Sequence, residues 1–229
     1  MQAKENKTCL TCLPAGRQKI MQYDQCKTCR RLGQKLFLKG DRCFSPKCAM
    51  VRRAYAPGLQ KKRKGGAPSE YKKSLSEKQT LKKWYGLSER QFKRYVQESL
   101  AKMDKVDDVS AELIRKLETR LDNVIYRIGF AGTRPHARQL VSHSYFLVNG
   151  KPVNIPSYKV EKDDVISIKP NKKVKGVFKE LSAKLKKKEV PAWLSLDKDK
   201  LEAKTIGAPS LDEVKPPAEI SLIFEFYSR

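Results

Sequence analysis

Residues Arg120 to Pro170, RLDNVIYRIGFAGTRPHARQLVSHSYFLVNGKPVNIPSYKVEKDDVISIKP, decide the fold. Leading into and through this stretch, Leu113, Ile114, Leu117, Leu121, Val124, Ile125 and Ile128 recur at three- and four-residue steps. That period predicts one buried helical face. Gly129 ends it, as a residue tolerant of left-handed geometry does. Thr133 then caps a short helix, with Pro135 in its first turn and Ala137, Leu140 and Val141 facing inward. Tyr145 to Val148 predicts a strand, Asn149-Gly150 a two-residue hairpin turn, and Lys151 to Ile155 the returning strand. Val165, Ile166 and Ile168 predict a further strand. Arg127, Arg134, Arg138, Gln139, His143 and Lys151 fall around the second helix and the hairpin, where together they predict a phosphate-binding face.

The rest of the chain agrees in charge. It has 229 residues, with 50 Lys and Arg against 25 Asp and Glu, a formal net charge of +25. Such an excess does not set a fold, but it favours a polyanionic partner. No apolar run approaches the roughly 20 residues of a membrane span, and no signal-peptide core opens the chain. The expectation is a cytoplasmic protein with no membrane partner. From Cys26 to Lys64 there are thirteen Lys or Arg and one acidic residue, Asp41. Lys61-Lys62-Arg63-Lys64-Gly65-Gly66 reads as a flexible basic arm ordered by a polyanion.

A helical stretch is predicted from Ser69 to Met103. Leu75 begins it, Leu81, Trp84 and Tyr85 form a cluster, Gly86 interrupts it, and Phe92, Tyr95, Val96 and Leu100 resume the period. Lys82, Lys83, Arg90, Lys93 and Arg94 take its polar positions, and core packing is the expected role of its aromatics. Lys172 to Lys188 reads as a basic helix ended by Pro191-Ala192-Trp193-Leu194, followed by a Pro/Gly connection from Gly207 to Pro217. At the end, Ile220, Leu222, Phe224 and Phe226 alternate with Ser221, Ile223, Glu225 and Tyr227, which predicts a docked strand.

Cys26-x2-Cys29 and Cys43-x4-Cys48 stand thirteen residues apart, close to structural-zinc spacing. Two tight pairs let four thiolates converge, while the loop between them carries cations. The same thiolates could hold an iron–sulfur cluster, because spacing does not select the metal. Cys9-x2-Cys12 precedes Cys26 by the same interval, so Cys9, Cys12, Cys26 and Cys29 form an alternative set. A shift of 17 residues also aligns Thr11, Gly16 and Asp24 with Thr28, Gly33 and Asp41, a partial duplication or a coincidence.

Arg134, Ala137, Arg138, Gln139, Val148, Asn149 and Gly150 match the motif of the S-four RNA-binding domain, which the Arg120–Pro170 segment resembles. Cys26 to Tyr55 is similar to the N-terminal segment of the bacterial ribosomal protein S-four family. The resemblance continues through WYGLSERQFKRY (Trp84 to Tyr95), PAWLSLD (Pro191 to Asp197) and EFYSR (Glu225 to Arg229). Met21-Gln22-Tyr23 fits the family's beginning, leaving 1–20 as an extension or a misassigned start, and the resemblance implies Cys26, Cys29, Cys43 and Cys48 as the metal set. One departure lies at Pro57-Gly58-Leu59-Gln60, where the family often has a histidine after its glycine.

The resemblance implies an α+β protein. Residues 21–55 would be a four-cysteine metal-binding segment, 56–117 a basic arm and helical domain, and 118–182 an inserted S-four RNA-binding module. Residues 183–229 would pack back on the rest. It also implies a structural role: binding small-subunit rRNA at a multi-helix junction, nucleating assembly of the subunit body, lining the mRNA entrance beside neighbouring small-subunit proteins, and contributing to accuracy. Arg134, Arg138, Gln139, His143 and Lys151 would form one contact surface. Arg30, Arg31, Arg42, Arg52 and Arg53 would form a second, and Lys82, Lys83, Arg90, Lys93 and Arg94 a third. The rivals are an RNA-modifying enzyme and an RNA chaperone carrying the same module. Only about 60 Lys-rich residues follow the module, and no GxGxxG or Walker-type loop is present, so no enzyme is expected.

Overall fold

The computed structural model describes residues 25–58, 67–103, 108–173, 178, 181, 185, 189–198 and 200–228. Cys9, Cys12, the Met21 beginning, the Lys61–Gly66 arm, much of the Lys172–Lys188 helix and Arg229 lie outside the described residues. Three short helices, α1 (Gln25–Leu32), α2 (Asp41–Phe44) and α3 (Ala49–Arg52), build the cysteine segment. Next come α4 (Glu70–Trp84) and α5 (Glu89–Leu100), whose caps Ser69 and Ser88 accept hydrogen bonds from the backbone N–H groups of Lys72 and Gln91. This satisfies donors that a helix start otherwise leaves unpaired. Between them Gly86 has φ 66, which turns the chain.

The helical period from Leu113 to Ile128 is carried by two helices, α6 (Val109–Glu118) and α7 (Leu121–Ile128). Arg120 breaks them with extended backbone (φ −68, ψ 136) and forms a β-bridge with Lys159. Leu117 and Leu121 stay four residues apart across the break, so the apolar pattern conceals it. Gly129 closes α7 in left-handed geometry, and Thr133 caps α8 (Arg134–Ser142) by accepting from the N–H of His136. The strands β1 (Phe146–Val148) and β2 (Lys151–Val153) flank Asn149 and Gly150, both with positive φ, as a type I′ turn requires. The Asn149 side chain also accepts from the N–H of Val165 at 2.9 Å and donates to Asp164 at 2.7 Å, tying the turn to β3 (Val165–Ile168).

After α9 (Pro170–Lys173), two strands absent from the sequence reading, β4 (Leu194–Asp197) and β5 (Glu202–Thr205), complete an antiparallel sheet of order β2-β1-β3-β5-β4. The module's sheet therefore runs beyond residue 182, because β5 pairs directly with β3. The chain then forms α10 (Leu211–Val214), inside the Gly207–Pro217 connection, and α11 (Ile220–Ser228). The expected C-terminal strand is thus a helix. Its alternation had placed Ile223 outward, whereas Ile220 and Ile223, three residues apart, are both buried and Ile223 is fully so. The segment is apolar on most sides, and docking on α4 and α5 selects the helical arrangement.

Two apolar cores result. One joins α7, α8 and the sheet through Leu121, Ile125, Phe130, Phe146, Ile166 and Trp193. The other joins α4, α5, α6 and the chain end through Leu81, Phe92, Leu113, Leu117 and Ile223. Residues before and after the module therefore share one core, and the module is set within the span of the helical domain. Among the described residues no helix is long and apolar enough to cross a membrane.

Candidate nucleic-acid interface

The two cores meet at a buried ionic knot. Glu118, at the end of α6, is fully buried and accepts from the Tyr85 hydroxyl at 2.7 Å. It also accepts from Arg127 at 2.9 and 2.8 Å and from the Asn123 amide at 2.5 Å. Arg134 donates to Asn123 at 2.7 Å, lies 4.0 Å from Glu118, and has its guanidinium 4.0, 5.1 and 4.5 Å from the ring centroids of Trp84, Tyr85 and Tyr126. Burial alone would raise the Glu118 carboxyl, but Arg127 and then Arg134 outweigh it and hold it below its ordinary value. Burial drives the Tyr85 hydroxyl well above its own, with the Glu118 charge adding to the effect. Burial also lowers Arg134.

Several residues assigned to contact surfaces thus face inward. Arg134 is 8% exposed and Arg127 is half-buried on Glu118; both join the module to the helical domain. Half-buried Arg138 donates to the Gly86 carbonyl at 2.8 Å, a third tie between the same two parts. Lys82 is buried and paired with Glu89. A basic chain makes any arginine look like surface, and the aromatic cage around Arg134 comes from two separate elements, the end of α4 and the middle of α7.

The cations that do reach solvent form the candidate interface. Gln139 on α8 and His143 just past its end are exposed beside them, and Lys151 is exposed on the hairpin. On α5, Arg90, Lys93 and Arg94 are exposed, Arg94 beside Glu98 at 3.5 Å, while Lys83 is half-buried at the end of α4. Burial, with the nearby Lys82 charge, lowers the Lys83 ammonium. In the cysteine segment Arg31, Arg42, Arg52 and Arg53 are exposed. Arg30 donates to the Tyr55 carbonyl at 2.9 Å and lies 4.9 Å from the centre of its ring. The sequence reading passed over Lys35, Lys39 and Lys47, exposed beside these arginines, and the exposed Phe37 and Phe44. Their signal was available: aromatic residues inside a cation-rich loop.

Glu89 anchors the exposed face of α5. It accepts from Lys78 at 2.8 Å, from Lys82, and from the Tyr227 hydroxyl of α11 at 2.9 Å. Burial by itself would raise this carboxyl, but those hydrogen bonds pull it from 4.5 to about 2. A depressed carboxylate stabilises the fold above its unfolded value and loses that contribution as pH falls from 4.5 towards about 2. The side chain is 47% exposed, so screening limits the contribution to about 1 kcal/mol. Denaturant titration should find Glu89→Gln less stable than wild type by that amount near neutrality, with the gap closing near pH 2. A gap independent of pH would rule out the electrostatic origin.

Cys26 and Cys29 on α1, Cys43 on α2 and Cys48 at the start of α3 line one cavity as free thiols. Burial raises the Cys29 thiol, and the Lys39 N–H points at the Cys43 sulfur from 3.4 Å. Four soft sulfur donors match zinc or an iron–sulfur cluster in kind. As placed, no group of three ligating side chains among the described residues is gathered closely enough to hold an ion. The fold brings the four residues to one cavity.

Two interlocked cores, with exposed cations on the module, the helical domain and the cysteine segment, define a structural α+β protein of the polyanion-binding class. A family model described as the ribosomal protein S4/S9 N-terminal domain matches residues 21–118, and the S4 domain model matches residues 119–166. The small ribosomal subunit protein uS4 of Thermotoga petrophila is 46% identical over 205 residues, and those of Thermotoga maritima and Halothermothrix orenii are 45% identical over the same length. Each alignment covers 89% of this chain and 96% of the relative. The chain belongs to the ribosomal protein S4 family, uS4.

Proposed function

We propose that this chain is a structural constituent of the small ribosomal subunit, bound to its rRNA and to neighbouring subunit proteins in the cytoplasm. The observation that carries the reading is its identity of 45–46% along nearly the full length of relatives named small ribosomal subunit protein uS4. The role is architectural, not enzymatic. The chain binds a multi-helix junction early, nucleates assembly of the subunit body, lines the mRNA entrance and contributes to accuracy. A-form helices offer little readable sequence, so recognition works through junction shape, phosphates and 2′-hydroxyls. A body whose two halves are tied by Glu118, Arg127, Arg134 and Arg138 holds separate cationic faces at fixed distances, as shape readout requires.

Contact residues divide by exposure. Arg31, Arg42, Arg52, Arg53, Arg90, Lys93, Arg94, Gln139, His143 and Lys151 would meet RNA directly. Arg127, Arg134, Arg138 and Lys82 support the surfaces from within. Zinc is the proposed resident metal of Cys26, Cys29, Cys43 and Cys48; when bound it supplies cross-linking of three short helices that carry little core of their own.

The test is binding to a junction-containing fragment of small-subunit rRNA across a salt series, against a simple duplex of equal length. Tight binding selective for the junction at physiological salt is expected. Equal, salt-labile binding to both would leave only a generic basic RNA binder and reopen the chaperone reading.

A further inference from the structure

We infer that Phe37 and Phe44 form a stacking platform for one unpaired base of the rRNA, a site that rests on the small-subunit reading above. Their rings lie 5.0 Å apart at an interplanar angle of 26°. Phe44 is 77% exposed and Phe37, 38% exposed, backs it, so the stacked pair presents the Phe44 ring to solvent. Large apolar side chains are normally withdrawn from water, and an exposed pair of them is a contact surface in waiting.

The loop that carries the pair is fixed. Leu36, just before Phe37, is 1% exposed. Phe37 itself holds a φ of 51, a left-handed conformation that a bulky residue adopts only when its surroundings impose it. Gly40, φ 58, lies so close to the first turn of α8 that an added Cβ would sit 3.1 Å from Thr133 Cγ2 and 3.4 Å from the Gly132 carbonyl oxygen. The Lys39 N–H reaches the Cys43 sulfur from the other side. The platform is therefore pinned beside the start of the RNA module.

Its surroundings choose the occupant. Lys35, Lys39, Arg42 and Lys47 are all exposed in the same segment, and Asp41 is the one acidic residue between positions 26 and 58. An apolar side chain of a protein partner would have to strip water from those cations. A nucleobase brings its own phosphates to neutralise them, and every base has a π-face to lay on a phenyl ring. Paired bases in an A-form helix are stacked and closed to such a ring, so the occupant is a base splayed from a junction, loop or bulge.

The test uses the full chain and the rRNA junction fragment, with Phe44→Ala, Phe44→Leu and Phe44→Trp. Alanine and leucine should each weaken binding about ten-fold, tryptophan should retain it, and the salt dependence should not change, since no phosphate contact is lost. Ultraviolet irradiation of the wild-type complex should cross-link the peptide carrying Phe44 to a single nucleotide. Unchanged thermal unfolding of the variants would show that the exposed ring was removed without disturbing the fold. Wild-type affinity in Phe44→Ala would overturn the platform while leaving the ribosomal reading intact. Loss in alanine with full retention in leucine would also overturn it, as apolar packing without stacking. So would variants that keep rRNA affinity but fail to recruit a neighbouring protein to reconstituted particles. Failure of the wild type to select the junction over a duplex would instead bring down the reading on which the platform rests.

Discussion

Glu118→Ala should lower the unfolding free energy by about 3–5 kcal/mol, the usual consequence of deleting one partner of a buried ion pair. The carboxylate is fully buried and accepts from Tyr85, Asn123 and both arms of Arg127, with Arg134 at 4.0 Å. Without it, a half-buried and a nearly buried guanidinium share one site with no counter-charge. Arg134 retains the faces of Trp84, Tyr85 and Tyr126, which soften the loss but cannot neutralise a full charge. Glu118→Gln keeps the shape and removes the charge, so a smaller loss of about 1.5–3 kcal/mol is expected. Denaturant titration measures both. A second consequence follows from position: Tyr85 belongs to the helical core, whereas Arg127 and Arg134 lie on α7 and α8 of the module. The alanine variant should therefore lose all-or-none unfolding, with a calorimetric enthalpy above the van't Hoff value. A loss below about 1 kcal/mol with unfolding still two-state would mean that apolar packing alone couples the halves.

The same residues show what sequence can and cannot reveal. Thr133 with Pro135, and Asn149 with Gly150, are local instructions whose geometry is set by neighbours two or three positions away, and both were legible. The break at Arg120 was not. Its extended backbone depends on the bridge to Lys159, and its guanidinium on Asp122 and the Tyr95 hydroxyl, which lies 25 positions earlier. The strand β5 carries Glu202-Ala203-Lys204-Thr205, a poor strand sequence, and is formed because β3 and β4 bond to both its edges. At the chain end the misleading feature was abundance: with Leu222, Ile223 and Phe224 all apolar, any period can be found, and only the groove against α4 decides. For the candidate interface, residue type was legible but direction was not. Arg134 and Arg138 both fit the family motif, yet both point at the helical domain, because cages and carbonyl acceptors are tertiary objects.

Cys29→Ser should abolish stoichiometric metal binding and unfold the cysteine segment, while leaving the module intact. Cys29 is the most buried member of the set together with Cys48, and it lies on α1, the longest of the three helices there. Little else holds this region: among its described apolar residues only Leu36, Cys29 and Cys48 are buried. A structural zinc ion in such a setting contributes on the order of 10 kcal/mol of folding free energy, far more than three short helices gain from so small a core. Native mass spectrometry of the wild type should show one zinc, and its absorption should lack the visible charge-transfer bands of an iron–sulfur cluster. Hydrogen exchange should then separate the parts. In Cys29→Ser, amides between residues 26 and 55 should lose protection, while those of Phe146–Val148 and Ile166 keep theirs, since their ladder is independent of the thiols. Binding to the rRNA junction should weaken with it, because Arg31, Arg42, Arg52 and Arg53 would have to be ordered at the moment of contact. Cys9→Ser and Cys12→Ser should retain the metal; loss in those variants would transfer the site to the alternative set. Metal-free wild-type protein with full protection across the segment would show that the four thiols are packing groups, and that the loop carrying Phe37 and Phe44 is held by Leu36, Gly40 and Thr133 alone.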